Sequence, residues 1–154
     1  MVREEEWRWE GPNLFSLVSL GFFLVLLGFI WAINPDLWSN VVDFFKGFHL
    51  ENVNEHIILP APKGHHLVVY RAAMQFCVAF GVFQIVVLAL RFVLGESRDR
   101  KSGTLSGIVF WLGVGFFLKM LAVGEIGWFG FVAGLIVVVG LLIIVDSLVK
   151  LLFK

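Results

Sequence analysis

Four stretches without a charged side chain set the terms for this chain: Leu14–Ile33 (20 residues), Ala72–Leu90 (19), Ser102–Leu118 (17) and Ile126–Val145 (20). A bilayer core about 30 Å thick is crossed by a helix of about 17–25 apolar residues. All four stretches reach that range, the third more comfortably if Lys119 extends its ammonium to the headgroups. Lipid offers the backbone no hydrogen-bond partners, so a spanning segment must satisfy its own amides as a helix. The expected fold class is therefore all-α and membrane-embedded. It comprises four transmembrane helices, plus a short external amphipathic helix between the first and second.

Composition supports the same solvent. Hydrophobic residues make up 59% of the 154 and charged ones 16%, against about 25% charged in soluble domains. Mean hydropathy is +0.91. The 12 basic residues balance the 12 acidic ones, so nucleic acid is not an implied partner. A lone Cys77 excludes an internal disulfide.

One membrane domain, 1–154, divides into an N-terminal segment (1–13), span 1 (14–33), an external segment (34–66), span 2 (67–94), a basic loop (95–103), span 3 (104–123) and span 4 (126–150). The first span is expected to be retained. It is too long for a signal core, "MVREEEWRWEGPN" ahead of it is acidic, and no small-x-small cleavage site follows. With four spans, both termini share a side with the loop "GESRDRKSG". That side holds Arg3, Arg8, Arg91, Arg98, Arg100, Lys101, Lys150 and Lys154, eight of the twelve basic residues. Lys46, Lys63, Arg71 and Lys119 fall on the other. The positive-inside rule places both termini in the cytoplasm of a plasma-membrane protein.

Within the external segment, "NPDLWSNVVDFFKGF" opens with Asn34 at a cap position and Pro35 at the first helical one. Leu37, Trp38, Val41, Val42, Phe44, Phe45 and Phe48 follow at near-helical spacing, with polar residues between them. An amphipathic helix lying on the outer leaflet fits this pattern. A short helix packed on the spans fits it equally well. The stretch "HLENVNEHIILPAPKGHH" is expected to return extended, because each proline disfavours helix before it.

All the histidines, His49, His56, His65 and His66, lie in this external segment beside Glu51 and Glu55. Imidazole and carboxylate are ligands for Zn, Cu or Fe. Adjacent histidines on an extended chain point to opposite faces, and no HExxH or cysteine pair exists. A structural collar is the preferred reading, with these four histidines as the only metal candidates and no cofactor expected. There is no P-loop, GxGxxG or GxSxG, and Asp146 is the one acid within reach of the apolar core. An enzyme is not expected.

The spans carry packing signals instead. Gly103/Gly107 and Gly130/Gly134 form GxxxG pairs, and Ala72, Ala73, Ala79 and Gly81 give span 2 a small-residue side. Cys77, Gln84 and Arg91 recur every seven residues along one face, with Gln75 elsewhere. Arg91, Asp146, Gln75, Gln84, Arg71, Lys119 and Glu125 are the candidates for structural polar contacts. Arg91 and Asp146 sit at similar depth, so they can pair. Equally, Asp146 can pair with Lys150 one turn on while Arg91 meets lipid phosphates.

The stretch "LPAPKGHHLVVYRAAMQFCVAFGVFQIVVLALRFVLG", with "NPDLWSNVVDFF" before it, resembles small archaeal multi-pass membrane proteins of unknown function, from Asn34 to about Gly95. The resemblance implies a four-span protein of an archaeal plasma membrane and brings no functional residues. The function expected is a non-catalytic structural or accessory subunit of a membrane assembly. Its partners would be the lipid bilayer and another membrane protein or its own copies. A small homo-oligomeric channel or transporter, lined by Gln75 and Gln84, is the alternative. An external metal-binding or redox accessory protein using the loop histidines ranks below both.

Overall fold

A computed structural model describes residues 14–54 and 56–152. In chain order these form α1 (Leu14–Ile33), α2 (Leu37–Lys46), β1 (Phe48–Asn54), β2 (Ile57–Pro62), α3 (Leu67–Val93), α4 (Arg98–Val123) and α5 (Trp128–Leu152). Among the described residues, α1, α3, α4 and α5 are long and apolar enough to cross a membrane. Helix α1 coincides with its uncharged stretch, α3 and α4 contain theirs and extend beyond both ends, and α5 starts two residues into its own and runs past its end.

Helices α3, α4 and α5 build the body of the bundle. Tyr70 and Cys77 of α3, Leu118 and Leu121 of α4, and Phe131 of α5 form its buried cluster. Close approach comes from glycines. A Cβ on Gly81 would meet Leu112 at 2.6 Å, one on Gly113 would meet Val138 at 2.8 Å, and one on Gly115 would meet Val78 at 3.1 Å. On Gly134 it would run into the Phe117 ring. Of the two GxxxG pairs, only Gly134 serves this purpose: Gly103 faces open space, Gly107 lies at ordinary distance from Gln84, and Gly130 meets only Ile126, four residues earlier in sequence. The adjacent pair Gly113 and Gly115 does the work in α4, because residues two apart on a helix face different neighbours.

Helix α1 is peripheral. Ile30 is its one buried residue, against seven in α3. It hangs on α3 by phenylalanines. Phe22 stacks on Phe83 with centroids 3.9 Å apart, and Phe23 meets Phe76 and Phe80 edge-on at 5.1 and 5.8 Å.

The chain turns before α2 differently from the expected cap. Asn34 does not cap α2; its amide donates to the Ile30 carbonyl (2.9 Å), closing α1. Leu37 N–H donates to the Asn34 carbonyl (2.9 Å), so Pro35 holds the second position of a β-turn, which suits its fixed φ. Asp36 takes the N-cap position. In α2 itself Leu37, Val41, Val42 and Phe44 are half-buried, while Trp38 and Phe45 are exposed. Phe44 packs on the bundle, edge-on to Tyr70 (6.1 Å) and near Trp128 (5.9 Å).

The segment expected to be merely extended forms an antiparallel hairpin, with Phe48 opposite Pro62 and Asn52 opposite Ile58. All-α therefore describes the five helices but omits this piece. Lys63 N–H donates to the Gly47 carbonyl (2.8 Å). Odd-numbered residues of β2 thus face β1, and Pro60 and Pro62 fall on its outer edge, where a missing N–H costs no ladder bond.

At the opposite end, α4 starts at Arg98, so much of the expected 95–103 loop is helical. Asp99 in the first turn favours this start through the helix dipole. The real turn is a Schellman motif: Glu96 N–H donates to the Arg91 carbonyl (3.1 Å) and Gly95 N–H to that of Phe92 (3.3 Å). Gly95 takes φ +66°, which glycine adopts without strain.

Candidate functional site

Polar chemistry gathers at the two ends of the bundle. At the hairpin end, the histidines are dispersed. His65 Nε2–H donates to the Ala122 carbonyl at the end of α4 (3.2 Å), and its ring stands 5.7 Å from Tyr70. His66 Nε2–H donates to the Lys63 carbonyl (3.0 Å), with its ring edge-on to Phe44. His49 makes a longer 3.4 Å contact to the Gly47 carbonyl, and His56 is exposed. Among the described residues no three of His, Cys, Asp and Glu come together; Glu55 lies outside them. His65 ties the segment before α3 to the end of α4, and the His66 ring packs on Phe44 of α2, while the hydrogen bonds of His66 and His49 are local. Trp128 adds to this knitting by donating its indole N–H to the Pro60 carbonyl (3.1 Å).

Replacing both His65 and His66 with glutamine is expected to lower stability by about 1 kcal/mol per lost hydrogen bond. Metal content, read by inductively coupled plasma mass spectrometry, should be the same in both proteins. Stoichiometric Zn, Cu or Fe that disappears in the variant would make the histidines ligands.

Arg71 and Lys119 share an open cleft of about 480 Å³ at this same end, with Met74, Ala122 and Val123. Both are exposed, as are Glu125 and Gln75. Gln75 and Gln84 do not converge: nine residues apart, they face opposite sides of α3.

The α3–α4 end is more tightly organised. Arg91, although charged, is buried. Its Nη1 donates to the Arg100 carbonyl (2.9 Å) and lies 3.5 Å from Glu96. Arg100 reaches the other oxygen of the same carboxylate at 3.5 Å. Thr104 Oγ1–H donates to the same Arg100 carbonyl (2.9 Å), and the Arg91 guanidinium lies over the Phe15 ring at 5.4 Å. The Schellman turn makes this possible, because it folds Glu96 back beside the residue five positions earlier.

Arg91 and Asp146 therefore do not pair, despite their similar depth. Asp146 accepts from Lys150 Nζ and from Ser102 Oγ, each at 2.7 Å. Lys150 lies one turn on along α5, so its approach needs no interhelical alignment. Arg91 meets Glu96, a partner that depth matching does not consider.

Arg91 also borders an open cleft of about 440 Å³ between α1, α3 and α4. Ser16, Ser19, Gln84, Arg100 and Thr104 complete its polar lining. Among the described residues, Arg91 and Arg100 both pair with the Glu96 carboxylate. The Arg91 Nε–H is buried and has no hydrogen-bond partner among the described residues.

No protein-family model, curated protein or solved structure matches the chain. Its functional reading rests on this geometry.

Proposed function

We propose that this chain is a four-span plasma-membrane protein acting as a non-catalytic structural or accessory subunit. The observation that supports this best is the hairpin. Leu50 and Ile58 lie on one face of it, 73% and 58% exposed, and Ile57 and Leu59, on the alternate face, are exposed as well. Outside a membrane, a cluster of large aliphatic side chains on a two-stranded hairpin marks a contact surface for another protein. The prolines on the β2 edge block strand addition there. In this reading Trp31 and Trp38, stacked 5.6 Å apart, enter the outer interface with Phe45.

Purification of the full chain from its native membranes tests the proposal. A stoichiometric partner is expected, and it should be lost when Leu50 and Ile58 are both changed to glutamate while the melting temperature holds. Recovery of homo-oligomers alone would favour the second reading, a channel or transporter built around the Gln84 cleft.

Orientation has its own test. With both termini cytoplasmic, Ser97→Cys and Lys63→Cys, each in a Cys77→Ala background, are expected to label from opposite sides of intact cells. Labelling of both from outside would reject the four-span arrangement. Of the residues behind this orientation, Arg3, Arg8 and Lys154 lie outside the described residues.

A further inference from the structure

We infer that the cleft between α1, α3 and α4 binds a phosphate ester, with the phosphate of an anionic glycerolipid as its natural occupant. The inference takes the four apolar helices as membrane spans but does not depend on the subunit reading.

Three features carry it. First, charge is unbalanced. Among the described residues, Arg91 and Arg100 share Glu96, leaving one positive charge more than the carboxylate balances in that group. Second, Arg91 is buried, yet its Nε–H lacks a partner among the described residues. A guanidinium fork suits the oxygens of a phosphate better than a point ammonium does. Third, the polar lining continues inward. Gln84 lies seven residues before Arg91, about 10 Å deeper along α3, and Ser16, Ser19 and Thr104 also border the cleft. A single phosphate held at Arg91 would not span the roughly 10 Å to Gln84. In a glycerolipid, the glycerol-linkage oxygens sit just below the phosphate and would meet them. The volume of about 440 Å³ lies within the range of small-molecule sites. The cleft also opens beside α1, the helix with a single buried residue, so acyl chains can leave sideways into lipid.

The sample for the test is full-length protein that resists carbonate extraction and is then solubilised and delipidated in detergent. Failure of the membrane reading would therefore show before any lipid is added. Melting is followed by tryptophan fluorescence with phosphatidylglycerol, with diacylglycerol of the same chains, and with inorganic phosphate. Phosphatidylglycerol at about a hundredfold over its Kd is expected to raise Tm by about 5–10 °C, and diacylglycerol to leave it unchanged. An equal rise with inorganic phosphate would keep the oxyanion site but assign it to a soluble phosphate. Gly103→Leu should abolish the lipid-induced rise by filling the cleft, since a Cβ at Gly103 meets nothing within 4 Å. Arg100→Gln should reduce the rise measured against its own lipid-free baseline, whereas Lys150→Gln, outside the cleft, should keep it. A rise that survives both cleft variants, or one matched by diacylglycerol, would overturn the proposal.

Discussion

Gly134→Val and Gly113→Val are each expected to lower the melting temperature of the solubilised protein by about 3–10 °C, corresponding to about 1–3 kcal/mol of overpacking. A side chain at Gly134 collides with the Phe117 ring, and one at Gly113 presses on Val138, which is 1% exposed. Both neighbours stand in the α4–α5 contact, Val138 buried and Phe117 half-buried, so each must shift to admit the new side chain. The discriminating controls are Gly103→Ala and Gly140→Ala. A Cβ at either position meets nothing within 4 Å, so each should be neutral or should gain the 0.5–1 kcal/mol or so that alanine holds over glycine in a helix. Equal losses at Gly103 and Gly134 would mean that the GxxxG spacing, rather than the observed contact, decides packing. Thermal melts of the four variants settle the point.

That contrast shows what the sequence could convey. The four long helices were legible because an uncharged run of sufficient length has one economical use in lipid, although the run does not mark the ends: α3 and α4 extend past theirs on both sides. Helix rotation was not legible. A GxxxG pair signals that a backbone can approach closely, but Gly103 and Gly107 carry the same signal as Gly130 and Gly134 while only Gly134 meets a facing ring. The hairpin escaped for a different reason. Prolines at 60 and 62 argued correctly against helix, but strand pairing depends on which edge each proline occupies, and no Asn-Gly or Asp-Gly turn announces the register. The partner of Arg91 was hidden by the method of matching depths, which compares positions on different spans. Glu96 is five residues away and becomes a neighbour only through the left-handed Gly95. A glycine followed by an acid at the end of an apolar run, as at Gly95–Glu96, is the signal that could have revealed it.

Removing the Glu96 carboxylate is therefore expected to be costly. Arg91 is a buried guanidinium, and its side chain and that of Glu96 are 11% and 17% exposed. Breaking a buried pair by deleting one partner costs roughly 3–5 kcal/mol when the remaining charge has no other support. Arg91 keeps its bond to the Arg100 carbonyl, so Glu96→Ala should lose less, on the order of 2–3 kcal/mol. Replacing both Arg91 and Glu96 with methionine should recover most of that loss, because no desolvated charge is then left behind. The Arg100 carbonyl stays satisfied in the double variant through the Thr104 hydroxyl. Asp146 provides the contrast: its ion pair with Lys150 is exposed and lies within one helix, and the Asn oxygen can still accept from Ser102 Oγ, so Asp146→Asn should have a small effect. Since Arg91 and Asp146 share no partner, a double-mutant cycle on Arg91→Gln and Asp146→Asn is expected to be additive in melting temperature. Strong coupling in that cycle, or a Glu96→Ala variant as stable as the parent, would mean that Arg91 is neutralised by Asp146 across the bundle and not by the carboxylate that the Schellman turn brings to it.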